Sequence, residues 1–93
     1  MIQVIMFGAT EWCKSCRAMR PVFDKVADRF RRSRFKFQYV DVESEEGVEM
    51  SVLHTVRNVP TILFLNKKGK EMERLCGTQS YEMLVETLKK YMK

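Results

Sequence analysis

Apolar residues follow two patterns along the chain, one typical of strands and one typical of helices. Short apolar runs rich in β-branched and aromatic residues occupy positions 2–7, 35–42 and 61–65, and each run predicts a strand. The third run is uninterrupted, so it should form a central strand that is buried on both faces. Residues 70–76 are more polar and follow a turn at 66–69, which predicts an edge strand in an antiparallel hairpin.

Elsewhere the apolar positions recur at helical spacing and predict three helices. Pro21 lies inside the first and longest of them and should kink it, because proline lacks a backbone donor. Ser44 and Ser80 are suitable N-caps for the two shorter helices, although Gly47 lowers the helix propensity of the first. In chain order, the apolar positions of the three predicted helices are Met19, Val22, Phe23, Val26, Ala27 and Phe30, then Val48, Val52, Leu53 and Val56, then Tyr81, Leu84, Val85, Leu88 and Met92.

The segments follow one another in the order β-α-β-α-β-β-α, and the helix between the first two strands makes those strands parallel. A length of 93 residues and a hydrophobic content of 45% allow one domain with a single modest core. Lys89, Lys90 and Lys93 should interact favourably with the dipole at the end of the last helix. We therefore predict an α/β fold in which residues 1–93 form one domain.

The net charge of +5 is distributed unevenly. Basic residues dominate positions 14–34, whereas positions 37–56 contain acidic residues and no lysine or arginine. A basic segment of this kind could bind nucleic acid, but it has neither interleaved exposed aromatics nor a recognised motif. We therefore expect no nucleic-acid partner, and we interpret the segment as a solvated helix surface or a surface for an acidic protein.

Targeting signals and cysteine usage bear on the cellular compartment. Residues 1–7 lack the basic region, the length of apolar stretch and the cleavage site of a signal peptide, and no later segment is suited to span a bilayer. Three cysteines do not make a secreted disulfide framework, and a redox dithiol is most useful where a reductase system can recycle it. We expect a soluble cytoplasmic protein without membrane association.

Cys13 and Cys16 are the candidate reactive groups. They lie where the first predicted strand meets the first predicted helix, and residues i and i+3 of a helix are close enough to form a disulfide. A cysteine at a helix N-terminus beside cationic side chains such as Lys14 ionises more readily than a free cysteine. Cys13 is therefore the candidate nucleophile, and Cys16, one turn further into the helix, is the candidate resolving cysteine.

The same spacing also occurs in zinc sites and in inert cysteine pairs. A structural zinc site usually needs four nitrogen or sulfur ligands, and beyond this pair the chain offers only Cys76 and the single His54. The redox interpretation is therefore favoured, and His54 is given no catalytic role. We expect no metal and no bound cofactor, only a redox-active disulfide between Cys13 and Cys16.

The order of the elements and several motifs together resemble the thioredoxin family. The motifs are Trp12-Cys13-Lys14-Ser15-Cys16 at the first helix start, Pro21 within that helix, Val59-Pro60-Thr61 before the third strand and Gly77 after the last. The resemblance covers essentially the whole chain, except that the N-terminal strand and helix of full-length thioredoxins have no counterpart. It implies a thioredoxin-like fold, with a central four-stranded mixed sheet flanked by three helices.

The resemblance also implies a substrate-binding surface around the dithiol, formed by Trp12, Val59, Pro60 and Gly77. In this family the proline that corresponds to Pro60 is cis and faces the dithiol. The backbone of Val59 should then pair with an extended substrate segment. Without the resemblance, an ordinary trans proline at a strand start would be preferred.

The chain departs from the family pattern at the dithiol and beneath it. Lys14 and Ser15 replace the usual Gly-Pro and should tune the cysteine pKa, and the cationic Lys14 predicts a couple more oxidising than that of a typical thioredoxin. Phe7 and Tyr39 stand where the family has a buried aspartate and its nearby lysine. Proton abstraction from Cys16 must then rely on water or on another group.

Cys76 should lie near the same groove. Its favoured interpretation is a small buried strand residue. The alternative is an extra redox thiol that forms glutathione adducts or intermolecular bridges, and the exposure of the side chain decides between the two.

Taken together, these features predict a monomeric thiol-disulfide oxidoreductase that reduces or exchanges protein disulfides. Its electron donor would be a flavoprotein thioredoxin reductase or a low-molecular-weight thiol. One alternative is a glutaredoxin-like, glutathione-dependent enzyme, ranked second because residues 76–79 lack the glutaredoxin Gly-Gly-x-Asp feature. The other is a non-catalytic module whose cysteines switch an interface or hold a metal.

Overall fold

A computed structural model of the protein describes residues 1–92. Its elements are β1 (Ile2–Gly8), α1 (Lys14–Arg29), β2 (Phe35–Asp41), α2 (Glu45–Leu53), β3 (Thr61–Leu65), β4 (Glu71–Cys76) and α3 (Tyr81–Lys90). The order of the elements is the predicted one. Lys93, which we expected to lie near the end of the last helix, is outside the described residues.

The four strands form one mixed sheet in the order β2-β1-β3-β4. β1 is parallel to β2 and antiparallel to β3, and β3 is antiparallel to β4. Every residue of β3 is buried, as expected for a central strand covered on both faces, whereas β4 is only partly buried at the edge. The mixed sheet and the three helices confirm the predicted fold class.

Alternate side chains of β1 point to opposite faces of the sheet and enter two different cores. Met6 packs in a cluster with Phe23 of α1 and Leu88 of α3. Phe7 belongs to a second cluster, against which Met50 of α2 packs. Helices α1 and α3 therefore cover one face, and α2 covers the other.

The two predicted N-caps are confirmed, whereas α2 ends at Leu53 and does not reach Val56 as its apolar spacing predicted. Ser44 accepts a hydrogen bond from the Gly47 amide, and Ser80 accepts one from the Met83 amide. These side chains satisfy backbone donors that the first turn of each helix leaves unpaired. Helix α1 continues through Pro21 to Arg29, so the proline does not end it.

Packing explains why a glycine occupies position 47 despite its low helix propensity. A Cβ at this position would lie 1.7 Å from the carbonyl oxygen of Asp41, at the end of β2. Only glycine allows the start of α2 to approach that strand so closely. The residue that weakened the helix prediction is therefore required by packing.

Candidate active site

Cys13 and Cys16 lie at the N-terminus of α1 and form a disulfide, with their Cα atoms 5.2 Å apart. Cys13 is the N-cap of the helix, and its sulfur accepts a hydrogen bond from the Cys16 amide at 3.2 Å. A backbone donor and the positive end of the helix dipole both favour negative charge on this sulfur. The geometry is what a nucleophilic Cys13 requires.

The two cysteines differ in accessibility. Cys13 is 6% exposed and Cys16 is 1% exposed, and both pack with Ala9 in a small apolar cluster. A substrate disulfide therefore reaches Cys13 more easily than Cys16. This difference fits the assignment of Cys16 as the resolving cysteine.

The loop before β3 faces the dithiol. The Val59–Pro60 peptide bond is cis, as the family resemblance implied. The Cys13 sulfur lies 4.0 Å from the Val59 carbonyl oxygen. Gly77 joins the same region, since its amide donates to the Pro60 carbonyl oxygen at 2.8 Å, and its φ of +85° is readily adopted only by glycine.

Trp12 is 61% exposed and lines an open groove of about 440 Å³ beside the dithiol. The opposite wall is formed by α2 and the loop that follows it, and Val48 and Val52 are part of that wall. Their exposed fractions are 51% and 75%. We predicted these valines only as part of an apolar helix stripe, and helical spacing alone carries no signal for their place in the groove.

The two residues between the cysteines differ in their contacts. The Ser15 hydroxyl oxygen lies 3.9 Å from the Cys13 sulfur. Lys14 is exposed and makes no hydrogen bond or ion pair with the other described residues. Ser15 therefore meets the nucleophile directly, whereas Lys14 can act on it only through its charge.

Phe7 and Tyr39 lie on opposite faces of the sheet. Phe7 is fully buried and meets the ring of His54 edge-on, with centroids 6.3 Å apart. Tyr39 lies on the α1 face, and its hydroxyl group shares a hydrogen bond of 2.9 Å with the Thr10 hydroxyl. No aspartate or glutamate among residues 1–92 is buried, so the described structure contains no buried acid beneath Cys16.

Cys76 is an exposed free cysteine, so its predicted burial is wrong. It is the last residue of the edge strand β4, and the burial pattern shows that both ends of this strand are open to solvent. It pairs with Thr61 at the start of β3. Its exposure meets the condition set for the alternative interpretation as a reactive thiol.

Two further features of the described residues concern metals and membranes. No cluster of three or more histidine, cysteine, aspartate and glutamate side chains in residues 1–92 could hold a metal ion. None of the described helices has the length and apolar character that a bilayer span requires. His54 caps the C-terminus of α2.

Comparisons of sequence and fold show which known proteins this chain resembles. The thioredoxin family matches residues 2–90. The chain is 36% identical over 86 residues to putative thioredoxin H10 of Arabidopsis thaliana, a match that covers 92% of this chain and 52% of the relative. It is 37% identical over 70 residues to thioredoxin-2 of Dictyostelium discoideum, with coverages of 75% and 74%.

Among solved structures, Fasciola hepatica thioredoxin superposes with a TM-score of 0.81 at 32% identity, covering 99% of this chain and 81% of that one. The chain spans only 52% to 64% of the length of three curated thioredoxins that it matches. The family match nevertheless extends over nearly all of its own 93 residues. With its capped dithiol and the cis proline opposite, this chain belongs to the thioredoxin family.

Proposed function

We propose that this protein is a thiol-disulfide oxidoreductase that reduces or exchanges protein disulfides through Cys13 and Cys16. Proteins of the thioredoxin family generally reduce protein disulfides. One observation carries the proposal for this chain. The Cys13 sulfur caps α1 and accepts a hydrogen bond from the Cys16 amide. In the reduced protein this arrangement stabilises a Cys13 thiolate, and Cys16 lies close enough to form a disulfide with it.

The reaction follows from the order of the two cysteines. The Cys13 thiolate attacks one sulfur of a substrate disulfide, the substrate S–S bond breaks, and one substrate thiolate leaves. Cys16, deprotonated, then attacks the Cys13 sulfur and displaces the second substrate thiolate. Two electrons have passed to the substrate, which takes up two protons, and Cys13 and Cys16 are left as a disulfide.

The surface around Cys13 supports recognition of an extended protein segment. We propose that the Val59 backbone, whose carbonyl oxygen lies 4.0 Å from the Cys13 sulfur, pairs with a substrate strand. Trp12, Val48 and Val52 offer apolar contacts along the adjoining groove. A protein disulfide flanked by apolar residues is therefore the proposed substrate class.

The remaining parts of the proposal concern the cellular setting. The oxidised pair must be reduced again, and we propose a flavoprotein thioredoxin reductase or a low-molecular-weight thiol as the electron donor. We propose that the protein works as a monomer in the cytoplasm. A dithiol that cycles needs such a reducing system.

Reduction of insulin disulfides with dithiothreitol as the electron source tests the proposal. The wild type should accelerate the reaction, and both Cys13→Ser and Cys16→Ser should abolish the acceleration. Cys16→Ser should also trap mixed disulfides through Cys13. Cys76→Ser is the matched cysteine control and should retain activity.

Two outcomes would contradict the proposal. A folded and fully reduced wild type without catalysis would favour a binding module whose cysteines do not turn over. Activity toward glutathione mixed disulfides, with none toward insulin, would favour the glutaredoxin-like alternative.

A further inference from the structure

The loop between α2 and β3, residues 54–60, forms part of the surface that the proposed substrate meets. Residues 56–59 line the groove beside Trp12. The Val59 carbonyl oxygen lies 4.0 Å from the Cys13 sulfur. A shift of this loop would therefore change both the groove and the backbone next to the nucleophile.

The first turn of this loop contains a left-handed threonine. Helix α2 ends in a Schellman motif, since the Val56 amide donates to the Ser51 carbonyl oxygen at 2.8 Å. The Thr55 amide completes the motif by donating to the Val52 carbonyl oxygen at 3.2 Å. Thr55 has a φ of +53°, and it is the only non-glycine residue among residues 1–92 with a positive φ. Glycine is the usual residue at this position, because a β-branched side chain meets steric resistance there.

Arg74 of the edge strand β4 contacts the backbone of this turn. Its guanidinium group donates to the Thr55 carbonyl oxygen at 2.9 Å and to the His54 carbonyl oxygen. It also meets both carboxylate oxygens of Glu71, at 3.0 and 2.8 Å. The planar guanidinium group presents several donors in a fixed geometry, so it can satisfy these acceptors together. The turn is therefore connected to the sheet by a side chain whose own orientation is fixed by an ion pair.

The contacts at the other end of the loop do not involve Arg74. The Gly77 amide, directly after β4, donates to the Pro60 carbonyl oxygen at 2.8 Å. The Thr61 hydroxyl group donates to the Asn58 carbonyl oxygen at 2.6 Å. Arg74 itself does not line the groove. Loss of the Arg74 side chain should therefore release the first turn of the loop without removing any group from the groove wall.

We propose that Arg74 is a positioning residue for substrate binding. Its hydrogen bonds to the His54 and Thr55 carbonyl groups offset the cost of the left-handed Thr55. They thereby keep residues 56–59 in the wall of the groove. Without Arg74, Thr55 adopts a negative φ in most molecules, and the Val59 backbone leaves its place beside the nucleophile. The inference rests on the proposed function, because it concerns the binding of a protein disulfide.

Steady-state reduction of insulin with saturating dithiothreitol tests this role, and circular dichroism checks that each variant is folded. Arg74→Met should raise KM about five-fold, as expected when about one fifth of the molecules keep the binding-competent loop. The kcat should not change, because the bound complex has the loop in place and both active-site cysteines keep their positions.

A small disulfide reagent separates loop position from cysteine reactivity. The reduced Cys76→Ser protein reacts with 5,5′-dithiobis(2-nitrobenzoate) through the active-site cysteines alone. Addition of Arg74→Met to this parent should leave the rate unchanged, because the small reagent does not need the groove. A general structural defect would slow this reaction as well.

A second substitution makes the result specific to Thr55. Glycine adopts a positive φ readily. In a Thr55→Gly background, Arg74→Met should therefore raise KM less than about two-fold. Tyr91→Phe is the control for lost stability, because it removes the hydrogen bond to Glu73 that joins β4 to the end of α3. It should leave KM unchanged.

The outcomes separate this inference from the proposed function. A folded Arg74→Met protein with an unchanged KM would overturn the inference alone. A rise in KM that persists in full in the Thr55→Gly background would also overturn it, because Arg74 would then act independently of Thr55. Equal slowing with insulin and with the small reagent would overturn it too, since the effect would then be general. A parent protein that does not reduce insulin would overturn the inference and the proposed function together.

Discussion

Helices α2 and α3 begin in the same way but have different roles. Both are short, both begin at a serine N-cap and both carry apolar residues at helical spacing. In α3 that stripe is buried, with Leu84 at 2% and Leu88 at 1% exposed, whereas Val52 and Leu53 of α2 are both 75% exposed. The comparison indicates that α3 stabilises the fold by burial, while α2 presents apolar surface beside the dithiol.

The two helices are consequently attached to the sheet in different ways. Leu88 belongs to the main core. The C-terminal end of α2 is held instead by Arg74 of β4, which donates to the carbonyl oxygens of His54 and Thr55 and pairs with Glu71 at 2.8 Å. Hydrogen bonds and an ion pair therefore replace part of the burial that α2 lacks.

The largest expected effect is on α3. Leu88→Ala should lower the free energy of unfolding by about 3 kcal/mol, because it removes buried methyl groups and leaves a cavity. Urea denaturation measures this change. The control is Met83→Ala on the same helix, where the side chain is 48% exposed and the expected change is below about 0.5 kcal/mol. Equal losses in the two variants would contradict the assignment of α3 to the core.

Removal of the Arg74 side chain should have the next largest effect. Arg74→Met should cost about 2 kcal/mol, since the partly buried His54 carbonyl, the exposed Thr55 carbonyl and Glu71 all lose a charged donor. Amide hydrogen exchange should accelerate in α2 more than in α3. An unchanged exchange rate in α2 would show that this helix does not depend on the Arg74 contacts.

A pH effect of about 1 kcal/mol is expected at the end of α3. The Tyr91 hydroxyl donates to Glu73 at 2.6 Å, and this bond raises the pKa of Tyr91 from 10.0 to about 12. The folded state therefore holds the phenolic proton more tightly than the unfolded state does. Stability from this bond is complete below pH 10 and is lost as the pH rises through about 12.

The same hydrogen bond, with a contribution from Lys90, lowers the pKa of Glu73. The stability gained from Glu73 is therefore present above the ordinary carboxyl pKa and is lost as the pH falls through the lowered value. Tyr91→Phe should flatten the alkaline loss seen in urea denaturation curves between pH 10 and about 12. Tyr81→Phe, as the control, should retain the full alkaline loss.

The smallest effect on stability is expected for a substitution in α2. This substitution should, however, lower activity. Val52→Ser should change the free energy of unfolding by less than about 0.5 kcal/mol. It should lower kcat/KM for insulin about three-fold while the reaction with a small disulfide stays unchanged, because a small reagent does not fill the groove. Leu53→Ser is a matched control, since Leu53 is equally exposed but does not line the groove. An equal loss of kcat/KM in both variants would show that the groove contributes no more to insulin reduction than the rest of the exposed α2 surface.

Local signals explain what could be predicted from the sequence. The uninterrupted run of β3, the serine caps and the position of Cys13 at a helix start depend on neighbours in the chain, and each was found where expected. The predicted β4 edge strand also follows from its own polar composition. The fold class and the dithiol could therefore be predicted before any tertiary contact was known.

Tertiary contacts decide the features that the sequence did not reveal. Gly47 is required by a carbonyl oxygen of β2, and the exposure of Cys76 follows from its place at the end of an edge strand. The apolar residues Val48, Val52 and Leu53 of α2 are exposed, which the sequence did not reveal, because helical spacing does not show whether a neighbouring element covers the helix. The close approach of Tyr39 to Gly8 is another such feature, since a Cβ on Gly8 would lie 2.9 Å from the Tyr39 hydroxyl oxygen.

The Cys13 sulfur is both the proposed nucleophile and the N-cap of α1. Each covalent state of this atom offers the Cys16 amide an acceptor of different strength, since a thiolate binds the amide proton more tightly than a disulfide sulfur does. The order of the first helical turn should therefore vary through the catalytic cycle. The backbone amide of Cys16 is a built-in reporter of redox state, and its proton chemical shift would follow turnover without any added label.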